Sequence, residues 1–244
     1  MGNDFDSIGI SGMDSPRDTE KFYRENINCA DEFEINGEKY SILSIGNGAE
    51  LYFYGDSEKI YFNYCELFFT PENSINAAGV EWVAPDEDCG PNFINVELTD
   101  LSIPCNVCVP DFYRYKNLSA QAVKKMNIIA FPRRLSVYEN AEEYLRKGKS
   151  RMAAEALIPC GTFSANGDKN FIPDNTIFLN GVIEWVKQKK NRIGGGEFFH
   201  IGVKCLGSIF EFVVEAAAAT EDGYTFNAGN VISGKFALVG KILF

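Results

Sequence analysis

The only histidine of the sequence, His200, lies in a segment that also contains three consecutive glycines, RIGGGEFFHIGVKCLG, residues 192–207. A glycine-rich loop binds phosphate when a strand precedes it, a helix follows it and the loop ends in Lys-Ser or Lys-Thr. Here a strand pattern follows the glycines and no such ending is present. The glycines therefore predict a connection between two strands, not a phosphate loop.

With one histidine, a single chain has no two-histidine metal site, and any Ser-His-Asp or Cys-His arrangement must use His200. No G-x-S-x-G elbow accompanies it. In the strand pattern, Phe199, Ile201 and Val203 share one face and His200 lies on the other, which predicts a partly exposed histidine. The sequence thus predicts no catalytic residue, no metal ligand and no cofactor.

Cys105 and Cys108 form a C-x-x-C pair between two prolines in a strand pattern, IPCNVCVP. A zinc ribbon needs a second such pair, and a thioredoxin-like site needs a helix that starts at the cysteines. Because the two thiols are expected on opposite faces of a strand, both are predicted to be structural. The carboxylates at residues 86–88 lack the spacing of a calcium loop and predict a solvated turn.

The densest group of basic residues follows the second tryptophan, in the segment VKQKKNR at 186–192. We place it on a loop between two strands, where an OB-type barrel can bind single-stranded nucleic acid or small anions. The alternative is a solvated loop. The candidate binding loop and its neighbours are Lys187, Lys189, Lys190, Arg192, Phe198 and His200.

Most of the remaining chain has the alternation of strands. Asn-Gly pairs at 36–37 and 47–48 predict hairpins. A short N-terminal helix is expected in DSPRDTEKFYRENI, capped by Asp14 or Ser15, and a linking helix in ENAEEYLRKGKSRM, opened by Glu139 or Asn140.

Comparison of the chain with itself indicates an internal duplication. GVEWV at 79–83 resembles GVIEWV at 181–186, AEL at 49–51 resembles AEAL at 154–157, and FINVEL at 93–98 resembles FFHIGVKCL at 198–206. Trp82 and Trp185 are expected to be equivalent core markers of the repeat. The alternative is that two strand-rich halves merely share composition. With the duplication, the predicted fold is mainly β, with two tandem OB-like small barrels, an N-terminal helix and a linking helix.

The corresponding division is residues 1–48 for an arm, helix and hairpin, 49–148 for an acidic first barrel, and 149–244 for a neutral second barrel. Residues 151–244 carry nine basic and nine acidic residues, so the net charge of −11 belongs to the chain before residue 151. The segments FLNGVIEW, GGEFFHIGVKCLG and GNVISGKFALVGKI are similar to a group of uncharacterised bacterial proteins. This resemblance implies an OB-like C-terminal half and no particular activity.

The acidic balance, with a pI of about 4.7, disfavours nucleic acid and anionic membranes as partners. The N-terminus lacks the pattern of a signal peptide, and no apolar run is long enough to cross a bilayer, which predicts a cytoplasmic protein. The function expected from the sequence is a non-enzymatic protein-interaction or ligand-binding module. A binder of single-stranded nucleic acid or small anions through residues 187–192 is the alternative.

Overall fold

The computed structural model describes residues 5–35, 37–55, 59–84, 92–115, 117–148, 152–163, 171–217, 223 and 225–244. Its helices are α1 (Pro16–Glu25) and α2 (Ala141–Lys147). Its strands are β1 (Ala30–Ile35), β2 (Glu38–Gly46), β3 (Ala49–Gly55), β4 (Ile60–Phe69), β5 (Ile75–Val83), β6 (Phe93–Leu98), β7 (Ile103–Cys108), β8 (Lys125–Tyr138), β9 (Ala156–Pro159), β10 (Thr176–Lys190), β11 (Glu197–Cys205), β12 (Ser208–Glu215) and β13 (Val231–Leu243).

The two predicted helices are confirmed, with their caps. Ser15 is the N-cap of α1 and accepts a hydrogen bond from the Asp18 amide, and Pro16 occupies the first turn. Asn140 caps α2 by accepting from the Glu143 amide at 2.9 Å. These polar side chains satisfy amide groups that the first helical turn leaves without a partner. A short 3-10 turn, Ala120–Ala122, precedes β8.

The first four strands form an antiparallel sheet in the order β1-β2-β3-β4. Both predicted hairpins are present in it. Asn47 and Gly48 have φ angles of 54° and 90°, the left-handed backbone that the β2–β3 turn requires. The predicted module boundary after residue 48 falls in this turn, so residues 49–69 pair with the preceding hairpin and not with a barrel.

Eight of the remaining strands close into two five-stranded barrels, and β9 pairs with β10. The first has the order β5-β6-β7-β13-β8, and the second has the order β10-β11-β12-β8-β13. In both, the third strand runs parallel to a strand from the other half of the chain, as β7 does to β13 and β12 to β8. The antiparallel ribbon of β8 and β13 therefore belongs to both barrels. The predicted fold class, mainly β with two small OB-like barrels, is confirmed.

The two tryptophans occupy different faces. A bulge interrupts β5 between Gly79 and Glu81, and another interrupts β10 between Ile183 and Trp185. Aligning the bulges places Trp82 beside Val186, one residue from the predicted match. Trp82 and Val186 both pack against the barrel core, whereas Trp185 lies opposite Gly202 on the outside. The prediction that Trp82 and Trp185 are equivalent core markers is therefore wrong.

Two apolar clusters hold the molecule together. One runs through both barrels, and the other lies between the four-stranded sheet and the outer surfaces of the barrels. The second cluster includes Tyr40 and Phe53 of the sheet, and Cys108, Phe198 and Val213 of the barrel strands. The sheet is thus anchored to the barrels by a shared core. Within the described ranges, no helix has the length and apolar character that crossing a bilayer requires.

Candidate functional site

The basic segment predicted as a loop belongs mostly to a strand. β10 extends to Lys190, so Lys187, Lys189 and Lys190 pair with β11 at His200, Phe198 and Glu197. The loop prediction is wrong because β10 continues through polar residues, where no alternation of apolar and polar residues indicates a strand. Only Arg192 lies beyond the strand, and its side chain packs beside Gly46, where an added Cβ would lie 2.6 Å from Arg192 Cδ.

Cross-strand pairing places one row of side chains on the outside of the second barrel. Directly paired residues share a face, so Lys187 lies beside His200 and Lys189 beside Phe198. The end of β4 and the β4–β5 turn cover this row. Phe69 lies 5.7 Å from Phe198 and 4.7 Å from His200, measured between ring centroids. We call the buried group formed by His200, Glu211 and the β4–β5 turn the latch.

The lysines make contacts within the chain. Lys187 Nζ lies 2.5 Å from Glu72 Oε2 and 4.9 Å from the Trp185 ring centroid. Lys189 Nζ lies 4.9 Å from the Phe69 ring centroid, and burial lowers the pKa of Lys189. The backbone carbonyl of Lys190 accepts a hydrogen bond from the Asn47 side chain. These contacts attach β10 to the four-stranded sheet.

The two aromatic candidates of the predicted binding loop are inside the protein. Phe198 is 1% exposed and His200 is 0% exposed. The expectation of a partly exposed His200 is wrong because the polar face of β11 is covered by the four-stranded sheet. Stacking on nucleic-acid bases requires an accessible ring face, which neither side chain has here.

At the centre of the latch, His200 Nε2 lies 2.6 Å from Glu211 Oε2, and the Glu211 side chain is 1% exposed. The Glu72 amide donates to the same oxygen at 2.8 Å. The Asn73 amide and side chain donate to Glu211 Oε1 at 2.7 and 2.8 Å. Burial alone would raise the pKa of Glu211, but the hydrogen bonds from His200, Glu72 and Asn73 hold it below its usual value.

In this arrangement, hydrogen-bonding groups of three residues surround the Glu211 carboxylate. It fastens the β4–β5 turn to β11 and β12, and therefore the four-stranded sheet to the second barrel. Among the residues that the structure describes, none bonds to His200 Nδ1, and the His200 ring meets Trp185 edge-on at 4.9 Å. Across the described ranges, no three histidine, cysteine or carboxylate side chains come together to hold a metal ion. The latch is a structural contact whose centre, His200 and Glu211, is buried.

A second polar group lies where the four-stranded sheet meets the first barrel, and sequence reasoning missed it. Asp111 is 3% exposed, accepts a hydrogen bond from the Tyr115 hydroxyl at 3.2 Å, and its Oδ1 has no partner among the described residues. Burial raises the pKa of Asp111, against the opposing effects of Lys241 and Arg114. Pro110 and Asp111 lie two and three residues beyond the end of β7, a strand-end signal that could have marked the position.

The C-x-x-C pair behaves as predicted. Cys105 and Cys108 lie in β7, both are free thiols, and they belong to different apolar clusters on the two faces of the strand. Burial raises the pKa of Cys105 to about 12. A thiol in this state is a poor nucleophile and a poor metal ligand. The carboxylates at residues 86–88, predicted as a solvated turn, lie outside the described residues.

The four-stranded sheet has two outer strands, β1 and β4, and each has one strand partner within the described ranges. For β1 that partner is β2. Asp31, Glu32 and Glu34 are exposed along β1, while Phe33 and Ile35 are half-buried against the core. An edge strand of this kind presents unpaired N–H and C=O groups to solvent.

The sequence matches no protein-family model and none of the curated proteins. Among solved structures, the chain is similar to ModG, described as a cytoplasmic molybdate-binding protein and solved with molybdate bound. The identity is 12%, the match covers 69% of this chain and 95% of ModG, and the TM-score is 0.33. The resemblance to a group of uncharacterised bacterial proteins stays a prediction.

Proposed function

We propose that this protein is a non-enzymatic binding module whose partner is another protein, bound along the open edge of β1. The observation that supports this proposal is that β1, a six-residue outer strand with exposed carboxylates, has a strand partner on one side only among the described residues. Addition of a strand to an exposed edge is a common way for proteins to bind extended segments. In this proposal the two barrels are the scaffold.

The surroundings of the sheet support the choice of its edge over its faces. On one face, Tyr40 stacks on Tyr113 of the first barrel with 3.8 Å between ring centroids. On the other face, Tyr23 of α1 packs against Phe53 at 4.8 Å. Both faces are therefore occupied by the chain itself. The backbone of β1 is what the sheet offers to a partner.

The alternative function, binding of single-stranded nucleic acid or small anions through residues 187–192, has less support. Lys187 is paired with Glu72, Lys189 is stacked on Phe69, and Phe198 and His200 are buried. A nucleic-acid groove needs accessible cations together with accessible rings. The exposed cations of the segment are Lys187, Lys190 and Arg192, and Lys187 is already paired with Glu72.

The proposal includes three features expected from the sequence. The matching strand orders of the two barrels support an internal duplication, with the first unit ending near residue 148 and the second starting near 149. The cysteines in the described residues are free thiols, which fits the expected cytoplasmic location. The function is binding and not catalysis.

Hydrogen exchange on the full chain tests the proposal. We expect outward-facing amides of β1 to exchange much faster than those of β2, which are paired on both sides. An uncharged extended peptide of alternating Val and Thr should slow exchange in β1 at millimolar concentration. If β1 is already as protected as β2 in the isolated protein, its edge is covered and the proposed function is wrong.

A further inference from the structure

We infer that the segment bound by β1 is an extended strand in which basic residues alternate with small apolar residues or threonine. This inference rests on the proposed function and specifies its partner. It follows from the distribution of charge and apolar surface on the two sides of β1.

The acidic side of β1 is the side that faces α1. Glu32 and Glu34 share this face because they are two residues apart in a strand. Both are exposed, and Glu32 accepts a hydrogen bond from the Tyr23 hydroxyl at 2.5 Å. Lys39 of β2 lies opposite Glu34. A strand added on the open side brings its own side chains next to these carboxylates, where lysine or arginine is favoured.

The other side of β1 is apolar over its second half. Exposed Asp31 begins this side, and Phe33 and Ile35 pack against the core between the sheet and the first barrel. The Phe33 ring lies 5.4 Å from the Tyr113 ring, and the Arg114 guanidinium lies 5.5 Å from the Phe33 centroid. Arg114 disfavours a second cation on this side. The matching positions of the partner strand are therefore uncharged, with Val, Ile or Thr suited to the pleat.

The same charges reject a second copy of this chain. Pairing of two β1 edges in antiparallel register brings carboxylates of one copy next to carboxylates of the other. Like charges directly across a sheet are destabilising. The acidic edge thus prevents self-association while it admits a basic strand, which is a way to obtain specificity by repulsion.

The test uses two nine-residue peptides. Both carry Val or Thr at every second position, and the positions between them are Lys in one peptide and Glu in the other. The full chain is titrated with each peptide by calorimetry, and hydrogen exchange locates the contact. We expect the Lys peptide to bind, to protect β1 amides and to weaken as salt is raised. The Glu peptide should bind at least about 10-fold more weakly.

Charge reversal on the protein supplies the matched control. The double variant Glu32→Lys/Glu34→Lys should weaken the Lys peptide about 10-fold and improve binding of the Glu peptide. Glu97 and Glu184 are exposed acids on barrel strands, and the double variant Glu97→Lys/Glu184→Lys should leave both affinities unchanged. Glu34→Gln serves as a milder variant that removes the charge and keeps the size and polarity of the side chain.

The outcomes separate the inference from the proposed function. Equal affinities for the Lys and Glu peptides, with protection of β1, overturn the charge inference and leave strand addition standing. Unchanged affinity of the Lys peptide after reversal at Glu32 and Glu34 does the same. Absence of β1 protection by the Lys, Glu and uncharged peptides overturns both.

Discussion

The carboxylate of Glu211 is the part of the latch whose removal has the largest predicted effect on stability. It receives hydrogen bonds from two backbone amides and one side-chain amide, and it lies 2.6 Å from the imidazole of His200. Glu211→Ala removes the acceptor of all of these groups; His200 is fully buried and the hydrogen bonds of the turn are part-buried. Each buried donor left without an acceptor costs about 1–3 kcal/mol, so the loss of this network costs about 3–5 kcal/mol. We expect the free energy of unfolding to fall by that amount.

Equilibrium urea denaturation, followed by circular dichroism and tryptophan fluorescence, measures the loss. Glu211→Gln keeps the side-chain volume and one acceptor, so it should cost less, about 1–3 kcal/mol. Glu184→Ala removes an exposed carboxylate from β10 and should change stability by less than about 0.5 kcal/mol. If Glu211→Ala loses less than about 1 kcal/mol, the latch does not hold the sheet to the barrel.

Three further results are expected. The pKa of Glu211 is lower in the folded protein than in the unfolded chain. Its contribution to stability is therefore complete above the pKa of the unfolded chain and disappears as pH falls through the pKa of the folded protein. The urea midpoint should therefore drop below about pH 4, and less steeply in Glu211→Gln; an equally steep drop in that variant would assign the acid sensitivity to other carboxylates. Gly202→Ala places a Cβ 2.2 Å from Trp185 Cε2. It should lower the free energy of unfolding by about 1–3 kcal/mol and alter tryptophan emission. Unchanged stability and emission would show that the Trp185 ring does not lie against Gly202. Alkylation of the native protein, mapped by peptide mass spectrometry, should modify exposed Cys160 quickly and buried Cys105 only after unfolding; rapid labelling of Cys105 would contradict its burial.

Local features of the fold could be predicted from the sequence because each depends on a few neighbouring residues. The Asn47-Gly48 turn, the Ser15 and Asn140 caps, and the opposite faces of Cys105 and Cys108 are of this kind. The assignment of residues to the two faces of β11 was also predictable, since alternation alone places Ile201 and His200 on opposite faces.

The latch could not be predicted because it depends on contacts between distant segments. Nothing near His200 in the sequence indicates that the β4–β5 turn covers it, so a polar strand face was taken for an exposed one. One signal was available. β11 and β12 form a tight hairpin in which Cys205 pairs with Ser208, and counting outward places Glu211 opposite Gly202, diagonal to His200. The sharing of β8 and β13 by both barrels has no comparable local signal.

The ribbon shared by β8 and β13 makes the two barrels depend on each other for closure. β7 lies between β6 and β13, so the first barrel has a gap until the last strand of the chain is synthesised. A fragment ending after residue 148 exposes the edges of β7 and β8, and a fragment starting at 149 exposes that of β12. Pairings this distant in sequence form slowly, because long loops must be ordered first. The two halves therefore have to fold as one cooperative unit, and neither can be cut out, exchanged or inserted elsewhere as an independent domain.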